Sequence, residues 1–275
     1  MDALQAIVLG IIQGLTEFLP ISSSGHLRIS AAFFGWDDPG AAFTAVSQIG
    51  TEAAVLIYFR KDLWKIASTW LRALRDPALR ATTEARMGWY LIAATIPIVI
   101  LGVTFKDQIE TGARNLYLIG TLLIVFALVL MWADRRARLY RDVDELSFRD
   151  GVLIGLAQSL ALVPGVSRSG ATITAGLLLG LRRPAAARFA FLLAVPSVVG
   201  AGLFELVSII TGGEEAGHDP IGYALLAMVV AFVVGYATIA WLLRWLTRHT
   251  LEVFVGYRIV LGTVVLALTA AGAIS

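Results

Sequence analysis

The chain contains no cysteine, which removes disulfides, thiolate metal sites and cysteine nucleophiles together. Charge is scarce too: 15% of the residues are charged, against about 25% in soluble domains. No segment is basic, aromatic and solvent-facing as a nucleic-acid-binding surface would be, so no nucleic-acid partner is expected. The opening MDALQAIVLG lacks the basic leader and small-residue cleavage site of a signal peptide, so the N-terminus is expected to stay within the fold. What remains is apolar. Of 275 residues, 58% are hydrophobic, the net charge is only +2 and the mean hydropathy is +0.79. Such a chain belongs in a bilayer, with membrane lipids as its neighbours.

A spanning helix needs about 20 apolar residues. Six segments meet this or nearly so: Ala42–Phe59, Met87–Phe105, Leu116–Ala133, Ala186–Ile210, Ile221–Trp245 and Val253–Ala273. Two more stretches, Leu4–Phe34 and Gly151–Leu181, are apolar but interrupted by SSSGH and PGVSRSG. Broken backbone at membrane depth is tolerated only where protein buries it or it lines a cavity. Both stretches therefore read as re-entrant helical hairpins, within an all-α integral membrane fold of six transmembrane helices.

The two breaks are copies of each other. A gapless shift of 145 residues lays Gly10 on Gly155, Gln13 on Gln158, Ser22 on Ser167, Ser24 on Ser169 and Gly25 on Gly170. The expected organisation is one membrane domain over 1–275, with repeats of about 1–133 and 150–275. Arginines and lysines crowd a loop over 60–86 and the segment 134–149, and Arg244 and Arg248 join them, so these stretches are placed inside by the positive-inside rule. Lys106–Asn115 and the acidic Gly212–Pro220 fall outside, as do both termini. Three spans separate the hairpins, so the repeats are inverted, an architecture whose binding sites sit near the midplane where broken elements meet. Ser23 and Arg168, paired by the shift, are expected to face one pocket.

Several groups there carry chemistry. Gln13 and Glu17 stand four residues apart, on one helix face. They read as ligands of a hard divalent cation, Mg²⁺ or Ca²⁺, whose shell a diphosphate would complete, or as a general base. Ser22, Ser23, Ser24 and Gly25 follow Pro20 as a hydroxyl-rich turn that can leave backbone N–H groups free as an anion site. His26 lies three residues after Ser23 and is expected to activate or orient its hydroxyl. His218 and His249 read as structural. Arg168 is the strongest signal, because an arginine at membrane depth costs about 2.5–3.5 kcal/mol and its fork fits phosphate oxygens. Ser167, Ser169 and Thr172 add hydroxyls beside it, and Gly165 and Gly170 leave room for close approach. Arg182, Arg183 and Arg188 suit an interfacial role instead. Phosphoryl transfer needs positioning and charge neutralisation above all. A buried pocket with these groups points to a lipid (di)phosphate hydrolase.

At these residues the chain resembles the undecaprenyl-diphosphate phosphatase family of bacterial membranes, also known for bacitracin resistance. The family's Gln/Glu-x-x-x-Glu motif matches Gln13 to Glu17, followed by FLPISSSGHL, and its PGxSRSxxT motif matches Pro164–Thr172 at every fixed position. The resemblance implies hydrolysis of undecaprenyl diphosphate to the monophosphate, recycling the lipid carrier for peptidoglycan and other envelope polymers. It further implies a divalent-cation requirement and a multi-pass protein of the inner membrane whose site opens to the periplasmic face. By the same resemblance, Glu17 is a cation or acid/base residue with Gln13 as partner. Ser23 is the nucleophile with His26 assisting, and Arg168 holds the phosphates with Ser167, Ser169 and Thr172. A homodimer is compatible with it. A phosphohistidine route through His26 stands as the minor alternative.

Two rival classes are weighed. Phosphatidic-acid-type phosphatases share an S-G-H triplet but follow their S-R pair with five residues and then a nucleophilic histidine, and this chain has no histidine from Leu27 to Gly217. An inverted-repeat transporter or lipid flippase could use the same anion pocket, with Glu52 as a proton-coupling group. A carrier, however, has no use for an acid–base pair around a hydroxyl.

Overall fold

Apolar segments in lipid satisfy their own backbone by turning helical, and this chain does so almost throughout. The structure, a computed structural model, describes residues 1–38, 40–105, 115–210 and 221–274, leaving aside the side chains of 40–42, 198–210 and 221. Its helices are α1 (Ala3–Thr16), α2 (Ser23–Phe34), α3 (Gly40–Tyr58), α4 (Arg60–Ala73), α5 (Thr83–Thr104), α6 (Leu116–Arg136), α7 (Phe148–Ser159), α8 (Arg168–Leu178), α9 (Arg183–Ile210), α10 (Ile221–Trp245) and α11 (Glu252–Ala270). The β pairing among the described residues is one isolated bridge, Arg141 to Leu181. Among the described residues four helices, α5, α6, α10 and α11, are long and apolar enough to cross a membrane. The chain is an all-helical, multi-pass membrane protein. The other two segments read as spans, 42–59 and 186–210, are helical as α3 and α9.

Both interrupted stretches are broken helix pairs. The first break separates α1 from α2 and the second separates α7 from α8. The hydroxyl-rich runs, expected as turns, belong instead to helix N-termini: Ser22 caps α2 and Ser167 caps α8, each accepting a hydrogen bond from the glycine N–H three residues on. That capping geometry satisfies amides which would otherwise have no partner. Residues 60–86, expected as a loop, hold α4. Its apolar positions Leu63, Ile66 and Trp70 recur at helical spacing, Leu63 and Ile66 join the core, and Trp70 lies against Gly88 of α5. The opposite face carries Lys61 and Lys65, the pattern of a helix lying in the membrane interface. His218, Gly212–Pro220 and 106–114 of the balanced loop lie outside the described residues.

The basic segments share one end of the molecule, where ion pairs join them. Arg188 of α9 meets Asp62 of α4, Lys65 meets Glu84, Arg135 meets Glu252, and Arg182 meets Asp142. Arg183 meets the buried Asp134, whose other oxygen accepts from the Leu251 N–H. Arg182, Arg183 and Arg188 thus all serve as ion-pair partners at this end. His249 stacks on Trp245 with ring centroids 3.8 Å apart, a structural role.

Packing crosses between the halves of the sequence. α1 lies along α10, while α7 lies along α5; α6 lies along α11. Two glycines paired by the 145 shift make the first two contacts possible. A Cβ on Gly10 would sit 2.7 Å from the Ala227 carbonyl oxygen, and one on Gly155 would sit 2.7 Å from the Ala94 carbonyl carbon with the oxygen nearer still. Backbone meets backbone at both places, so neither helix can yield without shifting.

Overpacked sites cost about 1–3 kcal/mol, occasionally more, whereas glycine to alanine at an open helical site gains about 0.5–1 kcal/mol. Gly155→Ala should therefore lower the unfolding temperature in detergent, and Gly256→Ala, where no atom lies within 4 Å of the added carbon, should leave it unchanged or raise it. Equal effects from the two would contradict the close approach of α7 to α5.

Candidate active site

The site is built where the two breaks touch. Glu17 is the C-cap of α1, and Arg168 is the first residue of α8. Their chain positions are far apart, yet Arg168 Nη2 donates to Glu17 Oε1 at 2.6 Å and to Glu52 Oε1 at 2.7 Å. Glu17 Oε2 accepts from Gln13 Nε2 at 2.8 Å and from Ser23 Oγ at 2.7 Å. One carboxylate therefore joins a guanidinium, an amide and a hydroxyl. Arg168 Nε and Nη1 donate to no described residue and are left for an anion.

Glu17 and Glu52 are both buried, 7% and 6% exposed. Buried charges of this kind persist where they are paired and hydrogen-bonded, since an unpaired one costs several kcal/mol. Two acceptor oxygens are left over: Gln13 Oε1 and Glu52 Oε2 are buried without a hydrogen bond. Among the described residues no group of three or more His, Cys, Asp or Glu side chains gathers as a metal cage. The donor set is nonetheless all oxygen, with unused lone pairs, which fits a hard cation that takes its remaining ligands from a phosphate.

His26 is placed differently from the sequence expectation. Its Nδ1 lies 2.7 Å from the Ser22 carbonyl oxygen and its Nε2 lies 2.8 Å from the Tyr257 hydroxyl, while the Ser23 hydroxyl goes to Glu17. A carbonyl only accepts, so in the neutral ring Nδ1 carries the hydrogen and Tyr257 donates to Nε2. The two rings also stack, 12° from parallel.

Most of the other hydroxyls hold the breaks together. Ser22 Oγ accepts from the Gly25 and Gly165 N–H groups, and Ser169 Oγ donates to the Leu19 carbonyl at 2.9 Å. Ser167 Oγ accepts from the Gly170 N–H and contacts Ser169. Thr172 bonds back to the Arg168 and Ser169 carbonyls within α8. Ser24 is half-buried, its hydroxyl bonded to no described residue. Ser22 and Ser167 share a left-handed backbone, φ 76° and 78°, an arrangement costing about 1–3 kcal/mol that surrounding structure must hold. Gly165, at φ 99°, takes the same region without penalty.

One residue the sequence reading passed over completes the arrangement. Arg258 of α11 has no exposed surface. Its Nη1 donates to the Pro20 carbonyl at 3.0 Å, and its Nη2 donates to the Gly165 and Val166 carbonyls at 2.8 and 3.1 Å. Its Nε donates to Leu123 of α6 at 3.1 Å. A single guanidinium thus bridges both breaks. The signal was available, since Arg258 also interrupts an apolar span, at the cost that singled out Arg168.

Comparison with known proteins gives a consistent picture. A family model described as "Bacitracin resistance protein BacA" matches residues 6–264. An undecaprenyl-diphosphatase of a Nocardioides species is 57% identical over 275 residues, covering 100% of this chain and 99% of the relative. Those of Thermobifida fusca and Mycolicibacterium smegmatis are each 54% identical over the whole of this chain, covering 93% and 99% of their own lengths.

Hydrogen bonds from a charged donor are worth about 1.5–3 kcal/mol each, and orphaned carbonyls add a desolvation cost. Arg258→Met should therefore lose several kcal/mol, seen as a large fall in unfolding temperature or failure to accumulate in the membrane, with Arg258→Lys intermediate. Wild-type melting of Arg258→Met would contradict the clamp.

Proposed function

The chain belongs to the bacitracin resistance protein BacA family, and from that premise we propose a mechanism by which it works as an undecaprenyl-diphosphatase. It hydrolyses undecaprenyl diphosphate to undecaprenyl phosphate and inorganic phosphate, a reaction that renews a lipid carrier for envelope polymers. One observation carries the site assignment: the carboxylate that receives the Ser23 hydroxyl, Glu17, also receives Arg168. Nucleophile, base and charge clamp thereby share one group.

In this reading the diphosphate bonds to the free Nε and Nη1 of Arg168, whose planar fork matches phosphate oxygens. Ser23 Oγ attacks the terminal phosphorus and its proton passes to Glu17 Oε2. The bond from that phosphorus to the bridging oxygen breaks, and the electron pair leaves with the lipid monophosphate. The proton held by Glu17 leaves with that lipid monophosphate; water then attacks the phosphoserine, its proton passes to the freed Glu17 carboxylate and on to the departing Ser23 oxygen, and inorganic phosphate is released. A divalent cation, Mg²⁺ or Ca²⁺, when bound supplies further neutralisation of phosphate charge; Glu17 and Gln13 would hold it. His26, held by Ser22 and Tyr257, ties the first turn of α2 to α11. Phosphoryl transfer asks mainly for such positioning and charge balance.

The halves read as inverted repeats. The matched caps Ser22 and Ser167, the matched glycines Gly10 and Gly155, and the long helices α3, α5 and α6 between the hairpins, with the shorter, charged α4 set aside from the spans, support this. The end that gathers the basic segments is taken as the cytoplasmic one, and the site is taken to open to the opposite, outer face. A carrier reading gains nothing from the Ser23–Glu17 hydrogen bond.

The test is phosphate release from a polyprenyl diphosphate by protein purified in detergent. Release should stop with a chelator, and Ser23→Ala and Arg168→Ala should each lower it by about a thousandfold or more, the scale of losing a nucleophile or a charge clamp. Wild-type rates in either variant would overturn the site assignment. No release by the wild-type protein, with lipid still bound, would overturn the function.

A further inference from the structure

Glu52 lies in neither break and in neither motif. It sits in α3, is 6% exposed, and reaches the site from the side with Oε1 on Arg168 at 2.7 Å. Its Oε2 is buried and has no hydrogen bond. Gln13 provides the complementary fact. It stands beside Glu17 but is an amide: its nitrogen donates to Glu17 Oε2, and its oxygen, 1% exposed as a residue, is also without a partner. The helix α1 therefore brings a single negative charge to the site, and the second comes from α3.

We propose that Glu52 is the second carboxylate of the divalent-cation site, held against Arg168 until a diphosphate arrives. The inference rests on the diphosphatase reading above. Two carboxylates ending on one guanidinium nitrogen leave a surplus negative charge within that triad, and a buried surplus calls for a cation. Arg258 does not offset it directly, because its bonds go to backbone carbonyls. When phosphate oxygens take Arg168, Glu52 loses its partner and presents both oxygens to the cation alongside Glu17 and the free oxygen of Gln13. Magnesium and calcium take such oxygens and complete their shells from phosphate. The competing possibility is that Glu52 serves only as the counter-ion of Arg168.

These two roles separate in binding as well as in rate. The probe is Mn²⁺, followed by electron paramagnetic resonance on purified protein with a methylene-diphosphonate polyprenyl lipid that cannot be hydrolysed. Glu52→Gln keeps the size of the side chain and removes its charge. It should weaken Mn²⁺ binding at least tenfold and raise the Mg²⁺ concentration for half-maximal phosphate release by a similar factor, with kcat largely recovered at high Mg²⁺. Gln13→Glu should tighten Mn²⁺ binding, and the double variant Gln13→Glu/Glu52→Gln should return to within a few-fold of the wild type. Unchanged Mn²⁺ binding in Glu52→Gln, with only KM for lipid altered, would make Glu52 a counter-ion and overturn the proposal. So would a double variant that folds but stays weak. Should Glu52→Gln fail to fold, Gln13→Glu alone decides: tighter Mn²⁺ supports the proposal and unchanged binding overturns it. Phosphate release by the wild-type protein throughout keeps a failure here distinct from a failure of the diphosphatase reading.

Discussion

Backbone that leaves the helix inside a membrane has no water to turn to, and each unpaired carbonyl or amide there costs several kcal/mol. This chain leaves the helix twice, and the answer to both departures is Arg258. Its guanidinium takes carbonyls from each break and from α6 at once, so one side chain satisfies backbone in both. Ser22 on the Gly165 N–H and Ser169 on the Leu19 carbonyl close the remaining gap across the two segments. A polar interior of this kind stabilises only when nearly every member is paired, and then it fixes geometry closely.

That fixed geometry is what lets Glu17 act. A carboxylate at the end of α1 and an arginine at the start of α8 meet because their helices end at the same junction. The charges are costly to bury, and they are tolerated because each is hydrogen-bonded to at least one opposite charge or hydroxyl. What stays unpaired among the described residues is telling: two guanidinium nitrogens, one amide oxygen and one carboxylate oxygen. Those are the donors and acceptors that a phosphate group and a hard cation would use.

Much of this was legible in the sequence. The shift of 145 residues found both breaks and paired the two serines that turn out to share one backbone conformation. Hydropathy placed the long helices to within a few residues, and Arg168 announced itself by its cost. The contacts of Arg258 with Pro20, of Tyr257 with His26 and of Glu52 with Arg168 were not legible, because they join segments far apart in the chain through side-chain directions that periodicity does not record. Placing His26 on Ser23 followed sequence proximity; in the folded chain the first turn of α2 aims the imidazole at α11 and the hydroxyl at α1. Residues 60–86 read as a loop because charge dominates their composition, while the helical spacing of Leu63, Ile66 and Trp70 in α4 is a weaker signal beneath it.

The account turns on Ser23 delivering its proton to Glu17 and becoming the phosphorylated group. The most direct measurement is a rapid acid quench of the enzyme turning over a polyprenyl diphosphate labelled at its terminal phosphorus, followed by peptide mapping. Label on Ser23, absent in Glu17→Gln, is the predicted result. Label on His26, or label on Ser23 that forms as fast without the Glu17 carboxylate, would contradict it.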